Sequence, residues 1–340
     1  MKKVLIIAIC LLVFLSTGCE NLIIKPSRSN LHVEDFEAIW HRVNDVYPFL
    51  DFKKINWDSI YSVYQPRVAS AKGDNYYLLL NDMLAILKDG HLYYTLKGGS
   101  RIYPFYPKRY FRDRDTYNPF VVRKYFDKEL RLTQSGSAEY EIMDGNIGYV
   151  FLSDFHEDYL ANEFPGVMEY LRGTKGLIID IRQRRGGSYE NVLTVVRYFL
   201  SQPLDPPKLY MLGSLIDQSL IEPLPDFSYT NPVVVLINGS TFSAGELTTE
   251  ILKQLPNVTA VGDTTGGGGV VSSGSQSGAE GEFVLPSGMI VYIGTGFFER
   301  YDGLPFEWSG IAPDIQVNQT QKDISDGIDR PLEYALDLLR

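Results

Sequence analysis

The sequence predicts an α/β protein built on a mostly parallel sheet, and three observations carry that expectation. From Asn146 onward, short apolar runs ("IGYVFLSDF", "KGLIIDI", "PVVVLIN", "NVTAVG") alternate with helical stretches ("EFPGVMEYLRG", "NVLTVVRYFLS", "AGELTTEILKQL"). The runs are continuously apolar, as strands covered on both faces must be. Their strand, helix, strand order calls for right-handed parallel crossovers, with reactive groups gathered at the carboxyl ends of the strands. At 340 residues, 44% hydrophobic and 22% charged, the chain can fill one large or two ordinary domains.

The first residues read MKKVLIIAICLLVFLSTGC: two lysines, an apolar run from Val4 to Leu15, then small residues before Cys19. The run is too short to span a bilayer comfortably and has the layout of a cleaved export signal. The STG before Cys19 resembles a bacterial lipoprotein signal, which implies lipid on Cys19, a membrane anchorage and a cell-envelope location; an ordinary signal peptide is the alternative. Both cysteines, Cys10 and Cys19, fall here, leaving the rest without a disulfide or a thiol nucleophile. Losing Lys2 and Lys3 takes the net charge from −10 to −12, so nucleic acid is not an expected partner.

The expected organisation is a signal segment over 1–18, a tether over 19–30, a helical N-terminal domain over 31–91, a β-rich connector over 92–145, the α/β core over 146–320 and a C-terminal helix over 321–340. In the helical domain, Phe36, Ile39, Trp40, Val43, Val46 and Tyr47 form one stripe, and "NYYLLLNDMLAILK" repeats the pattern. The connector offers "NPFVVRKYF" and "KELRLTQ" as strands. At the end, Asp329 caps a helix with Pro331 in its first turn.

Three stretches sit where core strands end: "DIRQRRGG", "NGSTFSAGE" and "GDTTGGGG". In the second, Ser243 and Glu246 have the S-x-x-E form of a capping box, so Ser243 reads either as a helix cap or as a nucleophile at a helix N-terminus. In the second case the Ala244 N–H would meet an oxyanion, and Gly186 or Gly187 could expose another donor from the neighbouring strand end; a plain turn is the alternative for the glycine pair. A neutral serine needs a base. The four histidines, His32, His41, His91 and His156, all precede Ser243, which is the wrong order for an α/β-hydrolase, and Thr241 breaks G-x-S-x-G. His32 and His41 read as surface or packing residues, His156 as a loop residue, and His91, after a helix and its glycine stop, as either a structural histidine or the base. No metal-ligand spacing and no phosphate-loop ending is present, and no cofactor is expected.

Taken together these stretches resemble the tail-specific (C-terminal processing) serine proteases and their tricorn-core relatives. "LKDGH" is similar to the family's L-x-D-x-H, "GLIIDIRQRRGG" to D-[LI]-R-x-N-x-G-G, "STFSAGE" to T-x-S-A-x-E, "VGDTTGGGG" to G-[ED]-x-T-x-G-x-G, and "DGLPFEWSGIAPD" to D-G-x-x-x-E-x-x-G-[IV]-x-P-D. The resemblance implies a crotonase-like α/β core, Ser243 as nucleophile, and Ala244 with Gly187 or Gly186 at the oxyanion. Gly268 stands where the tail-specific branch has its lysine base. The tricorn-like branch implies His91 instead, oriented by Glu307, with Glu299 and Asp302 as alternatives. Arg184 replaces the usual Asn, and residues 92–145 are too few for the family's PDZ module. The expected activity is that of a lipid-anchored serine endopeptidase acting on peptides or unfolded proteins through an acyl-enzyme. The alternatives are a catalytically inactive peptide-binding lipoprotein and, against the export signal, acyl-thioester chemistry on the same fold.

Overall fold

Valine, isoleucine and leucine runs with no polar interruption form the spine of the molecule. The structure, a computed structural model, describes residues 28–96, 99–109, 116–153, 155, 159–183, 186–272 and 281–340. The signal segment, Cys19, His156 and Arg184 lie outside these residues. In chain order the elements are α1 (Arg28–Val46), α2 (Trp57–Ser70), α3 (Asn75–Ala85), β1 (Tyr93–Thr95), β2 (Arg101–Ile102), α4 (Pro119–Val122), β3 (Arg131–Leu132), β4 (Ala138–Met143), β5 (Ile147–Leu152), α5 (Tyr159–Leu171), β6 (Gly176–Asp180), α6 (Tyr189–Val196), β7 (Lys208–Met211), β8 (Ser214–Ile216), β9 (Val233–Ile237), α7 (Ala244–Leu252), β10 (Val258–Gly262), β11 (Val270–Val271), β12 (Glu282–Val284), β13 (Ile290–Tyr292), β14 (Gly296–Glu299), β15 (Ile315–Gln316), α8 (Gln321–Asp326) and α9 (Arg330–Leu339).

The main sheet has the order β15-β10-β9-β6-β5-β4-β3. Its strands from β15 to β5 are parallel, and β4 and β3 add an antiparallel edge. Alternate residues of β9 divide between two cores: Val233, Val235 and Ile237 pack with α5, α6 and α7, whereas Val234 and Leu236 pack with Leu332, Ala335, Leu336 and Leu339 of α9. Helices on both faces therefore explain why these strands read as unbroken apolar runs.

The expected helical stripe is present in α1, with Phe36, Ile39, Val43 and Tyr47 buried in a separate core that also takes Val291 and Ile293 from the β13 region. The helix starts at Arg28, so the last three residues assigned to the tether are helical.

Three expectations change. "NPFVVRKYF" is not a strand: Asn118 caps α4 by accepting the Phe120 N–H at 2.9 Å, with Pro119 at the first helical position, and a 3-10 turn follows over Arg123–Tyr125. The Asn-Pro start signal outweighs the β preference of Phe-Val-Val. The boundary of the β-rich connector also shifts: β1 pairs with β13, and the β4–β5 hairpin crosses the expected 145/146 boundary. The C-terminal segment is two helices, because Gly327 closes α8 in the left-handed conformation (φ 79°).

Asp329 caps α9 as expected, accepting the Leu332 N–H at 3.0 Å. It also accepts Arg182 Nη1 at 2.8 Å, while Asp180 accepts Arg182 Nε at 3.0 Å and Nη2 at 2.6 Å. This buried triad ties the carboxyl end of β6, six residues before the glycine pair, to the helix α9.

Candidate active site

At the end of β9 the chain makes a tight loop before entering α7. Thr241 holds it: its hydroxyl donates to Ile181 O (3.1 Å) and accepts the Asn238 N–H (3.1 Å), and its N–H donates to Asn238 O (2.8 Å). Ser243 emerges at φ 55°, ψ −118°, a conformation costly for a residue with a Cβ. Strain of this kind persists only where the surroundings over-determine it, and it collects at reactive sites.

Glu246 supplies much of that determination. Its buried carboxylate accepts the Ser243 N–H (3.0 Å), the Gly267 and Gly268 N–H groups (both 2.8 Å) and the Thr265 hydroxyl (2.5 Å). Burial pushes its pKa up despite these four donors. The glutamate of the capping box therefore also welds the 265–268 glycine loop to the serine, a role the sequence reading did not assign to it.

The two glycines after β6 face different ways. A Cβ on Gly186 (φ 117°) would stand 2.6 Å from Ser243 Cβ, 2.9 Å from its Oγ and 3.4 Å from the Ala244 nitrogen. A Cβ on Gly187 (φ 150°) would strike Phe155 O at 2.0 Å, and the next N–H, of Ser188, donates to that same carbonyl at 2.7 Å. Gly186 thus borders the serine and the first turn of α7, and Gly187 presses against the Phe155 segment.

His91 comes from the helical lobe, on the turn after α3. Asp89 shapes that turn, its Oδ1 accepting the His91 N–H at 2.7 Å and lying 3.9 Å from His91 Nδ1. The imidazole stacks on Phe242, the residue before Ser243, with centroids 4.6 Å apart and 28° between planes. The side chain keeps 17% exposure, yet both ring nitrogens are buried and neither finds a hydrogen-bond partner among the described residues. No hydrogen bond joins them to Ser243 Oγ. Burial lowers the His91 pKa below its ordinary value, with Asp89 opposing and Lys53 adding to the decrease, so the ring is neutral near pH 7.

The same phenyl ring accounts for position 268. A Cβ on Gly268 would meet Phe242 Cζ at 2.1 Å, and Gly90 and Gly266 also pack on that ring. A lysine at 268 and a phenylalanine at 242 cannot share this space.

None of the three acids proposed to orient His91 touches it. Glu299 pairs with Lys208 across β14 and β7 at 2.8 Å, and Asp302 pairs with Arg300 in an exposed turn, its pKa lowered chiefly by that guanidinium. Glu307 is buried but turned to the helical lobe, accepting Lys53 Nζ at 2.5 Å through Oε1 and the Gly269 N–H at 3.0 Å through Oε2. Asp89 is the carboxylate beside the imidazole. Neither Asp89, two residues before His91, nor Lys53 was singled out from the sequence. His32 stacks on Tyr76 (4.1 Å) and His41 lies edge-on to Trp40 (5.0 Å), as packing and surface residues.

The sequence model for peptidase family S41 matches residues 146–317, and that of the tricorn protease C1 domain matches residues 32–85. The carboxy-terminal processing protease CtpA of Bacillus subtilis is 31% identical over 180 residues, covering 52% of this chain and 36% of that protein. The tricorn protease of Thermoplasma volcanium is 25% identical over 202 residues, covering 59% of this chain and 18% of its own length. The alignments thus span well under half of these two relatives. Among solved structures, that of a candidate peptidase from Parabacteroides merdae superposes with a TM-score of 0.77 at 25% identity, covering 92% of this chain and 97% of that one. Among the described residues no helix is long and apolar enough to cross a membrane. With a family match over half of its length and a second over the helical lobe, the chain belongs to peptidase family S41, a family of serine proteases.

Proposed function

We propose that the protein is a serine endopeptidase, exported and held to the envelope by lipid on Cys19, that cleaves peptides or unfolded proteins by a Ser243–His91 mechanism. The observation that carries this reading is the pairing of a strained serine at the mouth of α7, flanked by Gly186, with a neutral, unpartnered imidazole packed on the adjoining Phe242.

Nδ1 of His91 is the nitrogen nearer Asp89, which leaves Nε2 to accept the Ser243 hydroxyl proton. Oγ then bonds to the peptide carbonyl carbon, and the electron pair displaced onto oxygen is received by the Ala244 N–H and by Gly186 or Gly187. When the C–N bond breaks, Nε2 returns the proton to the leaving amine. Water, deprotonated by the same nitrogen, hydrolyses the resulting ester and restores the serine. Asp89, rather than Glu307, is the acid that orients the ring in this scheme. The imidazole and hydroxyl must close up on substrate binding, as unliganded catalytic pairs commonly do. Lys53 is no alternative base, because its ammonium is engaged with Glu307 and two backbone carbonyls.

The missing His91–Ser243 hydrogen bond favours the second reading, a peptide-binding lipoprotein without catalysis. A fluorophosphonate probe separates the two. Labelling of Ser243 that disappears in His91→Ala supports the peptidase; a wild-type protein that stays unlabelled supports the binder.

A further inference from the structure

Besides the shared apolar core and the β1–β13 ladder, a buried cation links the helical lobe to the α/β core. Lys53 follows the turn after α1, and its side chain has no solvent exposure. Its Nζ lies 2.8 Å from Tyr47 Oη, 2.7 Å from Leu87 O, 3.3 Å from Lys88 O and 2.5 Å from Glu307 Oε1. An ammonium has three protons, so Leu87, Tyr47 and Glu307 are served directly and Lys88 shares. The rings of Trp308 (5.2 Å), Tyr47 (5.4 Å) and Phe49 (5.7 Å) wall the charge in.

These partners belong to two parts of the site. Leu87 and Lys88 begin the turn that carries Asp89 and His91. Glu307 grips the Gly269 N–H, next to the Gly267 and Gly268 N–H groups that Glu246 ties to Ser243. We propose that the Lys53–Glu307 pair is a clasp and Lys53 a positioning residue, holding the base-bearing turn of the helical lobe at a fixed place against the glycine loop that is bonded to the serine segment. The inference rests on the reading of His91 as the base.

A burden of this kind explains why a charge is buried here at all. A buried ion pair loses about as much in desolvation as it gains in attraction, and an apolar pair of the same volume is often as stable. What the apolar pair lacks is direction: it would not hold two carbonyls and a carboxylate at set distances. The clasp also acts on charge. Asp89 and Lys53 act electrostatically on the imidazole, with Phe242 against its face, and Asp89 in turn acts on Glu307, Tyr47 and Tyr292. Burial lowers the His91 pKa, and Lys53 adds to that decrease against the opposing pull of Asp89.

Two variants of the full chain test this by the rate at which a fluorophosphonate labels Ser243, measured across pH. Lys53→Met should lower the plateau rate at least about tenfold, because a base displaced by an ångström loses most of its efficiency. Its acid midpoint should move upward, because a nearby positive charge has been removed from His91. The double variant Lys53→Met/Glu307→Leu replaces the pair by apolar side chains and should keep the wild-type circular dichroism, melting somewhat lower because Leu87 O and the Gly269 N–H lose their partners, while losing labelling to a similar degree. If the double variant folds and labels at the wild-type rate, the clasp is not a positioning device and the inference falls. A folded Lys53→Met with unchanged midpoint and plateau overturns it equally. Failure of the wild type itself to label sinks the serine-enzyme reading, and this inference with it, a result distinct from both of those.

Discussion

The two lobes hold their share of the site by different means. In the α/β core, Ser243 is fixed by a mesh of hydrogen bonds: the Thr241 loop and the Glu246 carboxylate with its four donors, at a place where only a glycine fits at 186. In the helical lobe, His91 itself makes a backbone bond to Asp89 and a ring contact with Phe242, and the turn that bears it is held by Lys53, by Trp308 Nε1 donating to Lys88 O at 3.3 Å and by the β1 ladder that follows. The difference teaches that nucleophile geometry is built into the core fold, whereas placement of the base depends on how the lobes meet.

The sharpest break of that comparison is Ser243→Ala. It should abolish labelling and peptide cleavage while changing unfolding free energy by no more than about 1 kcal/mol, the usual scale of a lost cap; chemical denaturation and a peptide assay check both halves. Gly186→Ala comes next, since the added Cβ at 2.6 Å from Ser243 Cβ forces the glycine turn and the serine apart. A labelling rate about 100-fold lower is expected, consistent with the loss of an oxyanion donor. A wild-type rate in this variant would show that the close approach plays no part in reactivity.

Phe242 offers a way to exchange one base for the other. Gly268→Lys alone should destabilise the protein without rescuing His91→Ala, because the Phe242 ring occupies the space. Any rescue should require Phe242→Ala as well. Rescue by the single change would mean that the ring yields freely.

Smaller effects sharpen the account. Glu246→Gln presents an amide to donors now served by a carboxylate and should cost about 2 kcal/mol of stability, read from denaturant midpoints. The pH profile carries a sign: His91 must be neutral to accept a proton, and burial lowers its pKa, so labelling should fall as pH drops, with an acid midpoint below the ordinary histidine value of about 6.5. A midpoint above it would indicate that Asp89 outweighs burial.

Much of this architecture was legible in the sequence, for reasons the structure makes plain. β5, β6 and β9 are buried along their whole length, so burial leaves a nearly continuous apolar signature, which β10 shares apart from the half-buried Thr259. Ser243, Gly186 and His91 stood out because strand ends and a helix stop are local features. What escaped is long-range. Lys53 looks like a surface lysine until the chain brings it to Glu307, 254 residues away. Three acids within nine residues could not be told apart without knowing that Glu307 alone of them is buried, nor that it faces the lysine and not the imidazole. Asn118-Pro119 shows the converse, a local start signal that the surrounding β-formers masked.

The account rests on His91 and Ser243 acting on one atom, and the direct test is a crystal structure of the chain after phosphonylation. The account predicts phosphorus on Ser243 Oγ, a phosphonyl oxygen within about 3 Å of the Ala244 nitrogen and of the Gly186 or Gly187 nitrogen, and His91 Nε2 in direct or one-water reach of Oγ. A serine adduct with the imidazole still stacked on Phe242 and out of reach would contradict it.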